Sequence, residues 1–177
     1  MASSCSALQC RRAVNCASVG MRVRLTGATS HASEPEKART PTRAVAEILP
    51  ALLALPKGRQ TDPDFRLVTI THLSMGEPAF GITPGAAEIW VTLRTQQDAA
   101  MAALRADAQA IIRDAAARHD LAVDFDWQDD FAASINHPEA TAIAAAAAAA
   151  TGLQITPDNL PMRASEDFGR FAARAKT

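Results

Sequence analysis

The sequence predicts an α+β fold, and three observations carry that expectation. Three segments alternate apolar and polar residues at period two, and a fourth is rich in β-branched residues. Two further segments repeat apolar residues every three or four positions. Their order is strand, helix, strand, strand, helix, strand, the split βαβ or ferredoxin-like arrangement. In it, two helices cover one face of a four-stranded antiparallel sheet and leave the other face open.

In the first strand Met21, Val23 and Leu25 alternate with Arg22, Arg24 and Thr26, and Gly27 ends it. A polar loop carrying His31 follows. Thr40 and Pro41 make a helix start, the threonine as cap and the proline at the first helical position. Val45, Ile48, Leu49 and Leu52 give this helix an apolar stripe. Pro50 within it removes one backbone bond at a cost of about 3 kcal/mol, so a kink or an early end is expected. Pro56 and Gly58 stop the element in any case.

Leu67 to Met75 forms the second strand. In the third, Ala87, Ile89, Val91 and Leu93 point one way and Glu88, Trp90, Thr92 and Arg94 the other. The connection between them, Gly76 to Gly85, is longer than a tight hairpin needs. Asp98 is placed to cap a second helix running to about Arg118, with Met101, Leu104, Ala108, Ile111 and Ala115 on one side. Leu121, Val123, Phe125 and Trp127 then alternate with Ala122, Asp124, Asp126 and Gln128 as the fourth strand.

This unit spans residues 21–128. Residues 1–20 read as a disordered leader with little fold information. Residues 129–177 do not repeat that unit and read as cut off. There Pro138 to Thr151, with the alanine run Ala144–Ala150, is a helix closed by Gly152, and a short amphipathic segment starts at Ala164 or Ser165 and includes Phe168 and Phe171. One helix with no sheet of its own builds no core, so this tail is expected to leave apolar surface around the two phenylalanines.

Composition narrows the function classes. Eighteen basic and nineteen acidic residues leave a net charge of -1, tyrosine is absent, and no basic block is interleaved with aromatics, which argues against nucleic-acid binding. No apolar run reaches the ~20 residues of a membrane span. Cys5, Cys10 and Cys16 have neither a CxxC spacing nor a nearby histidine. They read as reduced thiols of a cytoplasmic protein rather than as a metal or redox site.

The candidate chemistry is sparse. From spacing alone His31 reads as a surface histidine more readily than as a functional one. Arg94 could hold a carboxylate by two parallel hydrogen bonds, although a solvated strand-end arginine paired with Glu88 is the plainer reading. His72 falls on the Val68 and Ile70 side of its strand, and His119 suits a helix C-terminus, where the dipole favours a cation. Asn136-His137-Pro138 reads as a turn or a helix start. Glu166 and Asp167 are adjacent and so diverge by about 100° on a helix, too far to chelate a metal alone. No nucleophile-elbow, P-loop or dinucleotide-binding pattern occurs.

Four segments taken together resemble a known family: Gly27-Ala-Thr-Ser-His31-Ala-Ser-Glu-Pro-Glu36, Pro84-Gly-Ala-Ala-Glu-Ile-Trp-Val-Thr-Leu-Arg94, Asn136-His-Pro-Glu139 and Met162-Arg-Ala-Ser-Glu-Asp-Phe168. They are similar to the metal-dependent amidohydrolases of the aminoacylase and carboxypeptidase (peptidase M20-like) superfamily, of the hippurate-hydrolase or auxin-conjugate-hydrolase type. The resemblance implies that residues 21–128 are the lid or dimerisation domain, that residues 129–177 are an incomplete α/β remnant of the catalytic domain, and that the chain forms a homodimer through the lid. It implies that His31 polarises the scissile carbonyl of a small amide substrate, often in the partner subunit, that Arg94 holds the substrate carboxylate, and that Glu166 and Asp167 line the site wall. Two divalent metals, zinc or manganese, would serve the parent enzyme. Their usual ligand segments have no counterparts here, so this chain is expected to bind neither metal and to be an inactive fragment by itself. Gly81 also stands where the family usually carries an asparagine. The rival expectation is a non-enzymatic interaction module that pairs edge to edge through its sheet. A small-ligand sensor using the open sheet face is a third.

Overall fold

The computed structural model of the protein describes residues 13–153 and 160–176. In chain order its elements are β1 (Ala13–Asn15), β2 (Ala17–Thr26), α1 (Thr42–Leu53), β3 (Arg66–Met75), β4 (Ala86–Thr95), α2 (Asp98–Arg118), β5 (Ala122–Phe131), β6 (Ser134–Ile135) and α3 (Pro138–Ala150). Short 3-10 turns span Pro35–Lys37 and Asp167–Ala173. The main sheet has the order β3-β4-β2-β5, with every neighbouring pair antiparallel. That is the ferredoxin-like arrangement the sequence predicts.

The period-two pattern does what it should. Val19, Met21, Val23 and Leu25 of β2 are at most 1% exposed, beside Ile89, Val91 and Leu93 of β4. Ala44, Val45, Ile48 and Leu52 of α1 and Met101, Leu104, Ala108, Ile112 and Ala115 of α2 close over them. Each fully buried leucine or isoleucine contributes about 1.5–3 kcal/mol. Ile112, not Ile111, completes the α2 stripe, because 101, 104, 108, 112 and 115 keep to one helical face; Ile111 packs at the margin.

Several local expectations change. Residues 13–20 are not a leader: β2 begins at Ala17, which pairs with Thr95 and extends the β2–β4 ladder. Ala17 and Gly20 carry too little side chain to show the alternation in the sequence. Residues 1–12, with Cys5 and Cys10, lie outside the described residues. Cys16 is fully buried, and burial pushes its thiol pKa up against the opposing pull of Arg94 and Arg163. The tail also has a strand. β6 pairs antiparallel with β1, Ala13 opposite Ile135 and Asn15 opposite Ser134, while Asn15 also bridges to Met162. Strands of two or three residues are too short to leave a pattern.

Asp98 does not cap α2. Gln97 is the cap residue, and the Asp98 carboxylate instead accepts the Ala133 amide at 2.8 Å. α1 starts one residue past Pro41 and continues through Pro50 to Leu53. A proline this close to the C-terminus costs the helix one bond and no more of its length. His72 is also reassigned. A register shift between Ile70 and His72 turns it to the open face opposite Trp90, with ring centroids 5.5 Å apart. Such a bulge reverses the side-chain parity beyond it, so Leu73 and Met75 lie opposite Ile89 and Ala87. In the tail, α3 buries no residue, and Phe168 and Phe171 are 56% and 59% exposed, as expected of a segment without a core.

Two positions test this account. A Cβ on Gly27 would overlap the Arg39 carbonyl oxygen and lie 2.7 Å from Leu121 Cδ2. Gly27→Ala should therefore cost about 1–3 kcal/mol, read as a lower urea midpoint. Glu47 joins the helices, accepting Arg118 Nη2 at 2.7 Å and the His119 ring at 2.7 Å. The Arg118 hydrogen bond, then that of His119, holds its carboxyl below the usual range. The stabilisation is present above the unfolded glutamate pKa, about 4.3, and is lost as pH falls through the folded value. Glu47→Gln should lower the melting temperature at pH 7 and flatten its decline in acid.

Candidate functional site

The long connection between β3 and β4 clasps the His31 loop. Gly27 donates to the Gly85 carbonyl at 2.8 Å, Ala32 to the Gly81 carbonyl at 2.9 Å and Thr83 to the Ser30 carbonyl at 2.9 Å. The Ser30 amide donates to Thr83 Oγ1 at 2.8 Å. These bonds fix His31 at the Ala86 end of β4, a reason for ten residues where a hairpin needs fewer. His31 itself is exposed, with Nδ1 2.7 Å from Ser33 Oγ and 3.2 Å from the Ser33 amide nitrogen. Its Nε2 has no hydrogen-bond partner among the described residues. Gly81 leaves open space where a side chain would stand.

Beside this loop an open groove of about 820 Å³ is lined by Arg24, Thr29, Ser74, Glu77, Ile82 and Glu88, among others. Glu88 belongs to a network on the open sheet face. Its carboxylate accepts Arg22 Nη2 at 2.7 Å and Trp90 Nε1 at 2.6 Å, and those two bonds hold its pKa below the usual carboxylate range.

Arg94 lies at the other end of β4, opposite Ser18 of β2 and Leu67 of β3. It does not pair with Glu88, which shares its face six residues earlier and about 20 Å away along the strand. Instead Arg94 Nη1 donates to the Arg163 carbonyl at 2.6 Å and to Ser165 Oγ at 3.0 Å. The Cys16 amide also bonds this segment, at the Met162 and Ala164 carbonyls. The next residues are Glu166, which caps the second 3-10 turn, and Asp167, which begins it. Both are exposed. The turn packs through Gly169 onto the backbone of Ala132 and Ala133, and the Arg170 guanidinium donates to the Asp130 carbonyl.

The structure thus brings Arg94, Glu166 and Asp167 to one end of the domain and leaves His31 at the other. The eight steps of β4 from Ala86 to Arg94 are about 27 Å. Sequence reasoning missed Arg163 and Ser165 as partners of Arg94, since a segment with no periodicity gives no pairing signal. Among the described residues no three His, Cys, Asp or Glu side chains are placed to hold a metal ion. The donors among the described residues therefore do not fit a two-metal centre.

Residues 15–120, more than half of the chain, match the family described as the peptidase dimerisation domain. No curated protein matches the chain. Among solved structures, it is similar to an aminobenzoyl-glutamate utilization protein from Klebsiella pneumoniae, at 23% identity and a TM-score of 0.75, over 93% of this chain and 42% of that one. It is likewise similar to a hydantoinase/carbamoylase family amidase from Burkholderia ambifaria, at 21% identity and a TM-score of 0.70, over 94% of this chain and 40% of the other. At these identities the likeness is one of fold, and the chain spans about two fifths of the length of those proteins. Matched in sequence over residues 15–120 and folded as such a domain should be, the chain belongs to the peptidase dimerisation domain family.

Proposed function

We propose that the chain serves as the lid and dimerisation domain of a metal-dependent amidohydrolase that cleaves an N-acyl amino acid or a related small amide. By itself it does not hydrolyse amides. The observation that carries this reading is the separation of His31 from Arg94. A site that uses both takes them from two protomers.

In this reading the His31 Nε2–H donates to the carbonyl oxygen as negative charge develops on it. The guanidinium edge of Arg94 not engaged with Arg163 and Ser165 holds the substrate carboxylate, and Glu166 and Asp167 lie on the wall nearby. The two divalent ions, zinc or manganese, are assigned to donors other than the described residues. The antiparallel pair β1 and β6 supports a domain inserted into another, because it sets the chain's way in and way out side by side.

The homodimer is assigned to the β3 edge. The opposite edge, β5, carries Asp124, Asp126, Asp129 and Asp130, so two copies meeting there would repel. β3 carries no carboxylate, and its Leu73 and Met75 are 43% and 38% exposed. No helix of the described residues is long and apolar enough to cross a membrane. The buried thiol of Cys16 goes with a reducing, cytoplasmic setting.

The same bare β3 edge favours a second reading, an interaction module without catalysis. Complementation separates the two. Residues 15–128 are placed in the catalytic frame of an amidohydrolase, and a His31→Ala chimaera is mixed with one lacking a metal ligand. An equal mixture should regain about a quarter of full activity, since half of its dimers are mixed and each of those carries one complete site in two. No recovery from subunits that do exchange would contradict action in trans, and a chimaera inactive from the start would favour the module.

A further inference from the structure

We propose that Ser33 is a positioning residue for His31, one that fixes the imidazole as a neutral donor through Nε2. The inference rests on the functional reading above but is carried by the loop's own geometry. A backbone amide can only donate, and that of Ser33 lies 3.2 Å from His31 Nδ1. Nδ1 therefore accepts, and a neutral ring must then carry its proton on Nε2. Ser33 Oγ reaches the same nitrogen at 2.7 Å. Two groups of one residue thus hold one nitrogen of the ring, and Nε2–H is left without a partner among the described residues.

The carboxylates that orient histidines elsewhere do not take this part. Glu34 is engaged with Lys37 Nζ at 2.6 Å, and among the described residues no carboxylate is bonded to His31. Nor is the Ser33 hydroxyl needed to hold the loop, which is fixed by the Ser30–Thr83 and Ala32–Gly81 bonds. Its work is on the ring. A histidine so held offers a hydrogen bond to a carbonyl oxygen or an oxyanion, and in its neutral form cannot take a proton at Nε2.

The test is nitrogen-15 NMR of the full chain labelled at histidine, recorded in mildly alkaline solution. His31 should show a protonated Nε2 and a bare Nδ1. Ser33→Ala should shift the Nδ1 resonance and reduce the Nε2–H share, Ser33→Thr should restore both, and the Ala28 and Ala32 amides should not move. A proton on Nδ1 in the unmodified chain would overturn the proposal. So would a Ser33→Ala spectrum identical at His31, or one in which the loop amides lose their protection. The readout needs no catalysis: a His31→Ala enzyme that kept its activity would sink the functional reading and leave this spectrum unexplained by it.

Discussion

Everything in this structure hangs on β2. The strand is hydrogen-bonded on both edges, to β4 and to β5, and its Val19, Met21, Val23 and Leu25 lie under both helices. With the backbone satisfied on both sides, its apolar residues can be buried without stranding a polar group. The ladder to β4 then sets the positions of both candidate ends. Gly27, just past the last residue of β2, bonds Gly85 and so delivers the His31 loop to the β3–β4 connection. Ser18, near the first, lies opposite Arg94.

The main sheet and its helices were legible in the sequence because burial writes a period. Met21 to Leu25 and Ala87 to Leu93 show it plainly, and the structure buries those residues. Three things left no such mark. Small residues hid the start of β2 at Ala17. A register shift moved His72 to the opposite face, and no local pattern announces where a strand will bulge. The β1–β6 pair joins segments more than a hundred residues apart through strands of two and three residues, so only the folded chain shows it.

The candidate residues came from the resemblance and not from their spacing. The resemblance pointed to His31, Arg94, Glu166 and Asp167, but residue types carry no distances. The geometry adds that the ten-residue connection is a clasp for the His31 loop and that Arg94 anchors the segment after Met162. It also sets the two ends of β4 far apart. In the function proposed above, a partner related by a twofold axis brings its own His31 loop to an Arg94 end that the first protomer cannot reach.

The measurement closest to this claim is the solution mass of the chain by sedimentation equilibrium, alone and with Thr71→Glu on the exposed β3 edge. The account predicts a dimer of the 18.7 kDa chain, reduced to a monomer when each copy places a carboxylate at that edge. A monomeric parent chain would contradict it, as would a dimer indifferent to the added charge.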